Sequence, residues 1–161
     1  MELERNIAAF LGTESAIIYS QAFSTISSVI PAFCKRGDII IADRGVNFAI
    51  HLGIKLSRST IRWYDHNDMA SLEEVAQSVA KEVKKKRLPL TRQFIITEGI
   101  FENDGLVSDL PKLVRFVPTI AVPRLTNLIA VGRAQEQIQI PLVAGRELFI
   151  WHRWTHWSRP Y

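Results

Sequence analysis

Apolar and polar positions follow two periods along residues 2–113, and the switches between them predict the elements. "ELERNIAAFL" at 2–11 puts Leu3, Ile7, Ala8 and Leu11 on one helical face. "AIIY" at 16–19 is short, apolar and rich in β-formers, which predicts a strand. "SQAFSTISSVIPAF" at 20–33 places Phe23, Ile26, Val29 and Ile30 at helical spacing, with Pro31 expected to end or bend the helix. "KRGD" is a turn, and "IIIAD" at 39–43 is a buried strand ending in an acid. "NFAIHLGIKLS" at 47–57 reads as a helix and "TIRWYDH" at 60–66 as a strand. "SLEEVAQSVAKEVKKK" at 71–86 is a helix, with Ser71 as its cap and Glu74 in the capping-box position. "RQFIITEGI" at 92–100 is a second buried strand ending in an acid. "ENDG" is a turn, and a helix begins at Ser108 or Asp109.

Strands alternate with helices, and the strand runs are almost continuously apolar. That predicts a parallel sheet covered on both faces. In such sheets ligands bind beyond the carboxyl ends of the strands. Asp43 and Glu98 stand near two such ends, either as cofactor or catalytic contacts or as acceptors in turns and helix caps.

After Val114 the pattern breaks. "VPTIAVPRLTNLIAVGRAQEQIQIPLVAG" mixes prolines with alternating apolar residues and predicts no cleanly bounded element. Charge changes at the same place. Residues 1–113 are neutral overall, whereas 114–161 contain six Arg, no Lys and two Glu, so the net charge of +4 belongs to the last segment. The chain has no run long and apolar enough for a bilayer-spanning helix. Its N-terminus starts acidic, unlike a signal peptide. One cysteine, Cys34, excludes an internal disulfide.

The segments "LERNIAAFLGTESAIIYSQAFSTISSVIPAFCKRGD", "IIIADRGVNFAIHLGIKLSRSTIRWYDHNDMASLE" and "RQFIITEGIFENDGLVSDLPKL" cover nearly all of residues 2–113. They resemble the first, non-lysine long-chain-base subunit of serine palmitoyltransferase in its fungal form, within the α-oxoamine synthase group of pyridoxal-phosphate enzymes. "KRGD", "LSRS" and "HNDM" are specific features of that resemblance. It implies an α/β fold: part of a fold-type I pyridoxal-phosphate transferase large domain, three-layered with a mainly parallel sheet. The organisation expected is a partial large domain over residues 1–113, with no domain assigned to 114–161.

The resemblance also implies a function. The intact subunit would support condensation of L-serine with a long-chain acyl-CoA to 3-oxosphinganine in sphingolipid biosynthesis. Its partner would be the second subunit, which carries the Schiff-base lysine. It would be held at the endoplasmic reticulum membrane by an N-terminal hydrophobic segment; this chain is expected to start beyond that anchor. Where active relatives have an "NHAS" motif whose histidine stacks on the cofactor, this chain has Asn47, Phe48, Ala49 and Ile50. Phe48 can stack but cannot act as acid or base. Tyr19, Ser20, Gln21 and Ala22 match the turn that approaches the cofactor phosphate, with Gln21 or Ala22 where relatives use glycine. Asn47, Phe48 and Glu98 would line the same cavity, unless these residues form a packed subunit interface instead.

A pyridoxal enzyme needs a lysine amine for the aldimine and an acid at the ring nitrogen. Lys35, Lys55, Lys81, Lys84, Lys85, Lys86 and Lys112 sit mostly in turns and charged helix faces, and none follows an apolar strand. No catalytic residue and no metal ligand is therefore assigned, and the chain alone is expected to be inactive. The alternative is a non-catalytic binding or regulatory fragment that pairs with the catalytic subunit, or an inert truncated product.

The tail "LFIWHRWTHWSRPY" invites other readings. His152 and His156 could join a zinc site, and the Trp/Arg pattern suits an interfacial helix or a nucleic-acid arm. A shifted reading frame accounts for it better, and no nucleic-acid partner is expected. Tryptophan has one codon, so Trp151, Trp154 and Trp157 each force a glycine one frame over. The shifted string permits "LLLDESFSFGTVGRTGRGL", as in the family. Val114-Arg115 can encode a splice donor and Ala130-Val131 an acceptor, which suggests a retained intron of seventeen codons and one base.

Overall fold

The computed structural model describes residues 2–11, 15–86, 92–116, 126–131 and 148–150. Among the described residues, five helices and five strands follow one another as α1 (Glu2–Leu11), α2 (Ala22–Phe33), β1 (Ile39–Asp43), α3 (Phe48–Ser57), β2 (Thr60–Tyr64), α4 (Met69–Lys86), β3 (Gln93–Glu98), α5 (Leu110–Phe116), β4 (Thr126–Val131) and β5 (Leu148–Ile150). The strands form one sheet in the order β2-β1-β3-β4-β5. Every strand pair is parallel.

Side chains alternate across the pleat, so neighbours in β1 and β3 face opposite layers. Ile40, Ala42, Phe94 and Ile96 meet Ile26, Ile30 and Cys34 of the α2 region and Ile50 and Ile54 of α3. Ile39, Ile41 and Ile95 meet Leu72, Ala76 and Val79 of α4 and Leu110 and Leu113 of α5. β1 is buried at all five positions and β3 at all six, because both lie inside the sheet with helices over both faces. The expected three-layer α/β architecture with a parallel sheet is borne out.

Several local expectations are corrected. Residues 16–19 are not a strand: they run without regular structure, Ile17 is 76% exposed, and the segment is tied to α1 by Ile18 N–H donating to Glu4 at 3.2 Å. Its β-forming residues find no ladder among the described residues. Pro31 does not end α2, which runs to Phe33; Cys34 N–H still reaches the Ile30 carbonyl at 2.8 Å and closes the last turn. Ser71 does not cap α4. The helix starts two residues earlier, and the Asp68 carboxylate accepts from Ala70 N–H at 2.8 Å and Ser71 N–H at 3.3 Å. The Ser71 hydroxyl instead accepts from Asp65 N–H, bracing the preceding turn.

The pattern also predicted no bounded element after Val114, yet α5 runs on to Phe116, and β4 and β5 extend the sheet. "TNLIAV" is a short run of β-formers beside β3, a pairing that its proline-rich surroundings hid. The tryptophan–histidine tail from Trp151 onward lies outside the described residues.

Candidate functional site

Because the strands are parallel, their carboxyl ends share one edge. β1 has β2 on one side and β3 on the other, so chain order reverses beside it, and a crevice opens there in folds of this kind. Asp43 and Glu98 end the two strands that flank it.

Both acids are buried, and both are occupied. Asp43 Oδ1 accepts from Gly45 N–H at 2.6 Å, and Oδ2 accepts from Asn67 N–H at 2.8 Å. Glu98 Oε1 accepts from Asn47 N–H at 2.6 Å, and Oε2 accepts from Glu102 N–H at 3.2 Å. Burial holds the Glu98 carboxyl above its ordinary pKa, against these two backbone donors. Of the two readings left open by position, each acid makes the contacts of the second: it collects backbone donors in the loops after its strand.

Asn47 caps α3, with its side-chain oxygen accepting from Ile50 N–H at 3.0 Å. Through its own N–H it anchors the start of α3 to the end of β3. The next residue, Phe48, is 74% exposed, and its ring lies 6.2 Å from that of Phe23 at an angle of 26°. That pair brings the starts of α2 and α3 together. Tyr19, Ser20 and Gln21 are exposed and lead into α2 at Ala22. Gln21 is the N-cap residue in extended backbone, without a side-chain cap; its carbonyl accepts from Thr25 N–H at 3.0 Å. The sequence-predicted residues thus fall into an aromatic-edged surface at Tyr19–Gln21 and Phe48, a buried knot at Asn47 and Glu98, and Ala22, which opens α2.

His66 is a site residue that sequence reasoning missed. Its Nδ1 lies 2.8 Å from Asp43 Oδ1 and its Nε2 lies 2.8 Å from Asp104 Oδ2. "HNDM" was singled out as a feature without a role, because its partners lie 23 and 38 residues away and no local spacing reveals them. The bond to Asp43, and then that to Asp104, raise the imidazole pKa above its ordinary value, although partial desolvation opposes them.

This donor set does not fit catalysis with pyridoxal phosphate. The cofactor needs an amine to bind its aldehyde and an acid at the ring nitrogen. The six lysines whose side chains are described are all exposed, and none stands at a strand's carboxyl end. Glu98 is turned to backbone. Among the described residues no group of three or more potential metal ligands occurs, and no helix is long and apolar enough to cross a membrane.

The fold is that of the large domain of fold-type I pyridoxal-phosphate-dependent transferases. A Sphingomonas wittichii serine palmitoyltransferase structure superposes with a TM-score of 0.66 at 22% identity, over 80% of this chain and 29% of that one. Sequence then narrows the kinship: the chain is similar to proteins named long chain base biosynthesis protein 1 and serine palmitoyltransferase 1. The rice "Long chain base biosynthesis protein 1b" is 47% identical over 115 residues, which is 71% of this chain and 24% of the relative. "Serine palmitoyltransferase 1" of Saccharomyces cerevisiae is 44% identical over 114 residues, 70% of this chain and 20% of the relative. The chain therefore spans only about a quarter of the length of the relatives it matches. No protein-family model matches it.

Proposed function

We propose that this chain is a piece of the non-lysine subunit of a fungal-type serine palmitoyltransferase. That subunit supports a lysine-bearing partner as it condenses L-serine with a long-chain acyl-CoA to 3-oxosphinganine. The observation that carries the reading is the state of the strand ends. Asp43 is consumed by two backbone N–H groups and His66, and Glu98 by two backbone N–H groups, while the exposed ring of Phe48 stands beside Phe23. Such an end is suited to being covered rather than to moving protons. In this reading Tyr19–Ala22 and Phe48 pack against the partner, Asn47 and Glu98 hold Phe48 in place, and the pyridoxal phosphate is bound through the partner's lysine. The intact subunit resides at the endoplasmic reticulum membrane.

Phe48→Ala in the intact heterodimer tests this. Dissociation on size exclusion, with the remaining dimer retaining its cofactor absorbance, is the expected result. Loss of cofactor absorbance with the dimer intact would instead assign Phe48 to the cofactor cavity. The purified chain, given pyridoxal phosphate and serine, should show no lysine-dependent aldimine band and form no 3-oxosphinganine. Co-purification with the catalytic subunit without turnover would favour the regulatory-fragment reading.

The same proposal takes residues 114–161 as a retained intron followed by a shifted frame. Thr126–Val131 would then be lost from the spliced product, and a strand within "KYRLLLDES" would take its place beside β3. Transcript reads across the codons for 110–135 should include a form shorter by ~52 nucleotides, the seventeen codons and one base of that span. Genomic sequence without GT at Val114 would remove the intron.

A further inference from the structure

We propose that His66 is a proton-operated clasp: as an imidazolium it joins Asp43, at the end of β1, to Asp104, on the 102–105 turn, and so holds the β3–α5 connection over the carboxyl ends of the strands. This goes beyond the proposed function and does not depend on it.

The geometry carries it. Both ring nitrogens lie 2.8 Å from carboxylate oxygens. An ionised carboxylate only accepts, so both contacts are hydrogen bonds only when both nitrogens carry protons. Neutral imidazole has one donor and one acceptor, and one of the two contacts would then set lone pair against lone pair. Which contact yields follows from burial. Asp43 is fully buried and fixed by Gly45 N–H and Asn67 N–H, whereas the Asp104 side chain is 39% exposed and can turn to water. The clasp therefore opens on the Asp104 side.

Other contacts decide how much moves. Asn103 Nδ2 donates to the Gly45 carbonyl at 3.0 Å, and Asn67 Nδ2 donates to the Val107 carbonyl at 3.3 Å. The Phe101 ring meets His66 edge-on with centroids 4.4 Å apart. His66 is thus the hub between the connection, the end of β1 and the loop before α4. Gly45 leaves it room, since a Cβ there would stand 2.1 Å from the imidazole Nδ1. The other charged groups nearby are engaged elsewhere. Arg44 pairs with Asp65 at 3.5 Å, Asp68 caps α4, and Glu98 holds the Asn47 and Glu102 N–H groups. Further along the connection Asp109 pairs with Lys112 at 3.0 Å, and Glu102 is exposed on the turn itself.

The clasp is closed while the carboxylates are ionised and His66 is protonated, and it opens as pH rises through the His66 transition. The test uses the full 161-residue chain. Long-range proton–nitrogen spectra of labelled histidine between pH 5 and 9 follow both ring nitrogens. In parallel, a glutamyl endoprotease cuts at exposed Glu102, with rates normalised at each pH to an unfolded peptide of the same sequence. His66 should hold its proton more tightly than free imidazole does, with both ring nitrogens protonated to a higher pH. Normalised cleavage should rise at least about fivefold through the same transition, as a local opening of the connection requires. Asp104→Asn should weaken proton binding at His66 and make cleavage fast at every pH. A His66 that titrates as free imidazole, or a cleavage ratio that stays flat through its transition, overturns the proposal with the unmodified chain alone.

Discussion

Replacing Gly53 by alanine sets two effects of known size against each other. In the middle of a helix alanine is favoured over glycine by roughly 1 kcal/mol. Against this, the new methyl would stand 3.0 Å from Ile30 Cδ1, 3.1 Å from Ile30 Cβ and 3.2 Å from the Ile26 carbonyl oxygen, where α3 crosses α2. Carbon contacts are comfortable at about 3.5–4.0 Å, so all three are too close. Cδ1 could rotate away, but Cβ and the carbonyl move only with the backbone of α2. Ile30 is fully buried in the cluster that joins α2, α3 and the sheet, so α2 cannot retreat without opening it. Overpacking of this kind costs roughly 1–3 kcal/mol. The steric term wins, and Gly53→Ala should destabilise the chain by up to about 2 kcal/mol after the helix gain is subtracted. Urea unfolding followed by fluorescence measures this as a lower midpoint at unchanged slope. Ser78→Ala, on the exposed face of α4, is the control for propensity alone and should raise the midpoint slightly. A Gly53→Ala chain as stable as its parent would refute the claim that α2 and α3 are in tight contact at Gly53.

Gln93 is fully buried on β3 with neither amide atom partnered among the described residues; Gln93→Met should stabilise by about 1–2 kcal/mol, seen as a higher thermal midpoint. Asp38 accepts from Arg92 at 2.7 Å and from Lys35 N–H at 2.9 Å; Asp38→Ala should cost about 0.5–1.5 kcal/mol in the same assay, since it removes the acceptor of a part-buried N–H and of a guanidinium that water can partly re-solvate. The Glu98 pKa is raised by burial, so the folded state binds its proton more tightly than the unfolded state does. Its contribution to stability is complete below the unfolded value and lost as pH rises through the folded one. Stability measured from neutral pH downward should therefore gain from this group, and Glu98→Gln should flatten that part of the curve.

The layers were legible because both central strands are unbroken apolar runs flanked by amphipathic helices. Period and length alone predicted the parallel sheet. What local pattern could not supply was pairing. "AIIY" has the composition of a strand and stays irregular, whereas "TNLIAV" sits among prolines and pairs with β3 along its whole length. Strand propensity expresses fit to a half-buried pleated surface, so a neighbouring strand decides the outcome and composition does not. The α4 cap failed for a related reason. Ser71 and Asp68 are both good capping residues, and the choice was made by Asn67. Its left-handed backbone, φ 52°, turns the chain so that Asp68 meets the first free N–H groups.

The site was legible as a place and not as a set of roles. An acid at the end of a buried strand looks the same in sequence whether it faces a ligand or its own backbone. Asp43 and Glu98 each receive two backbone N–H donors, and those donors are supplied by loops. Gly45 and Asn67 approach Asp43 from loops on either side of α3 and β2; Asn47 and Glu102 approach Glu98 from loops 51 residues apart and four residues apart. Phe48 is the converse case. Its apolar ring is visible at once in "NFAI", and it stands 74% exposed beside Phe23. An apolar side chain offered to another surface, as proposed for Phe48, keeps its identity in the sequence. A carboxylate whose role is to gather distant backbone donors leaves no trace there, because the donors belong to every residue alike.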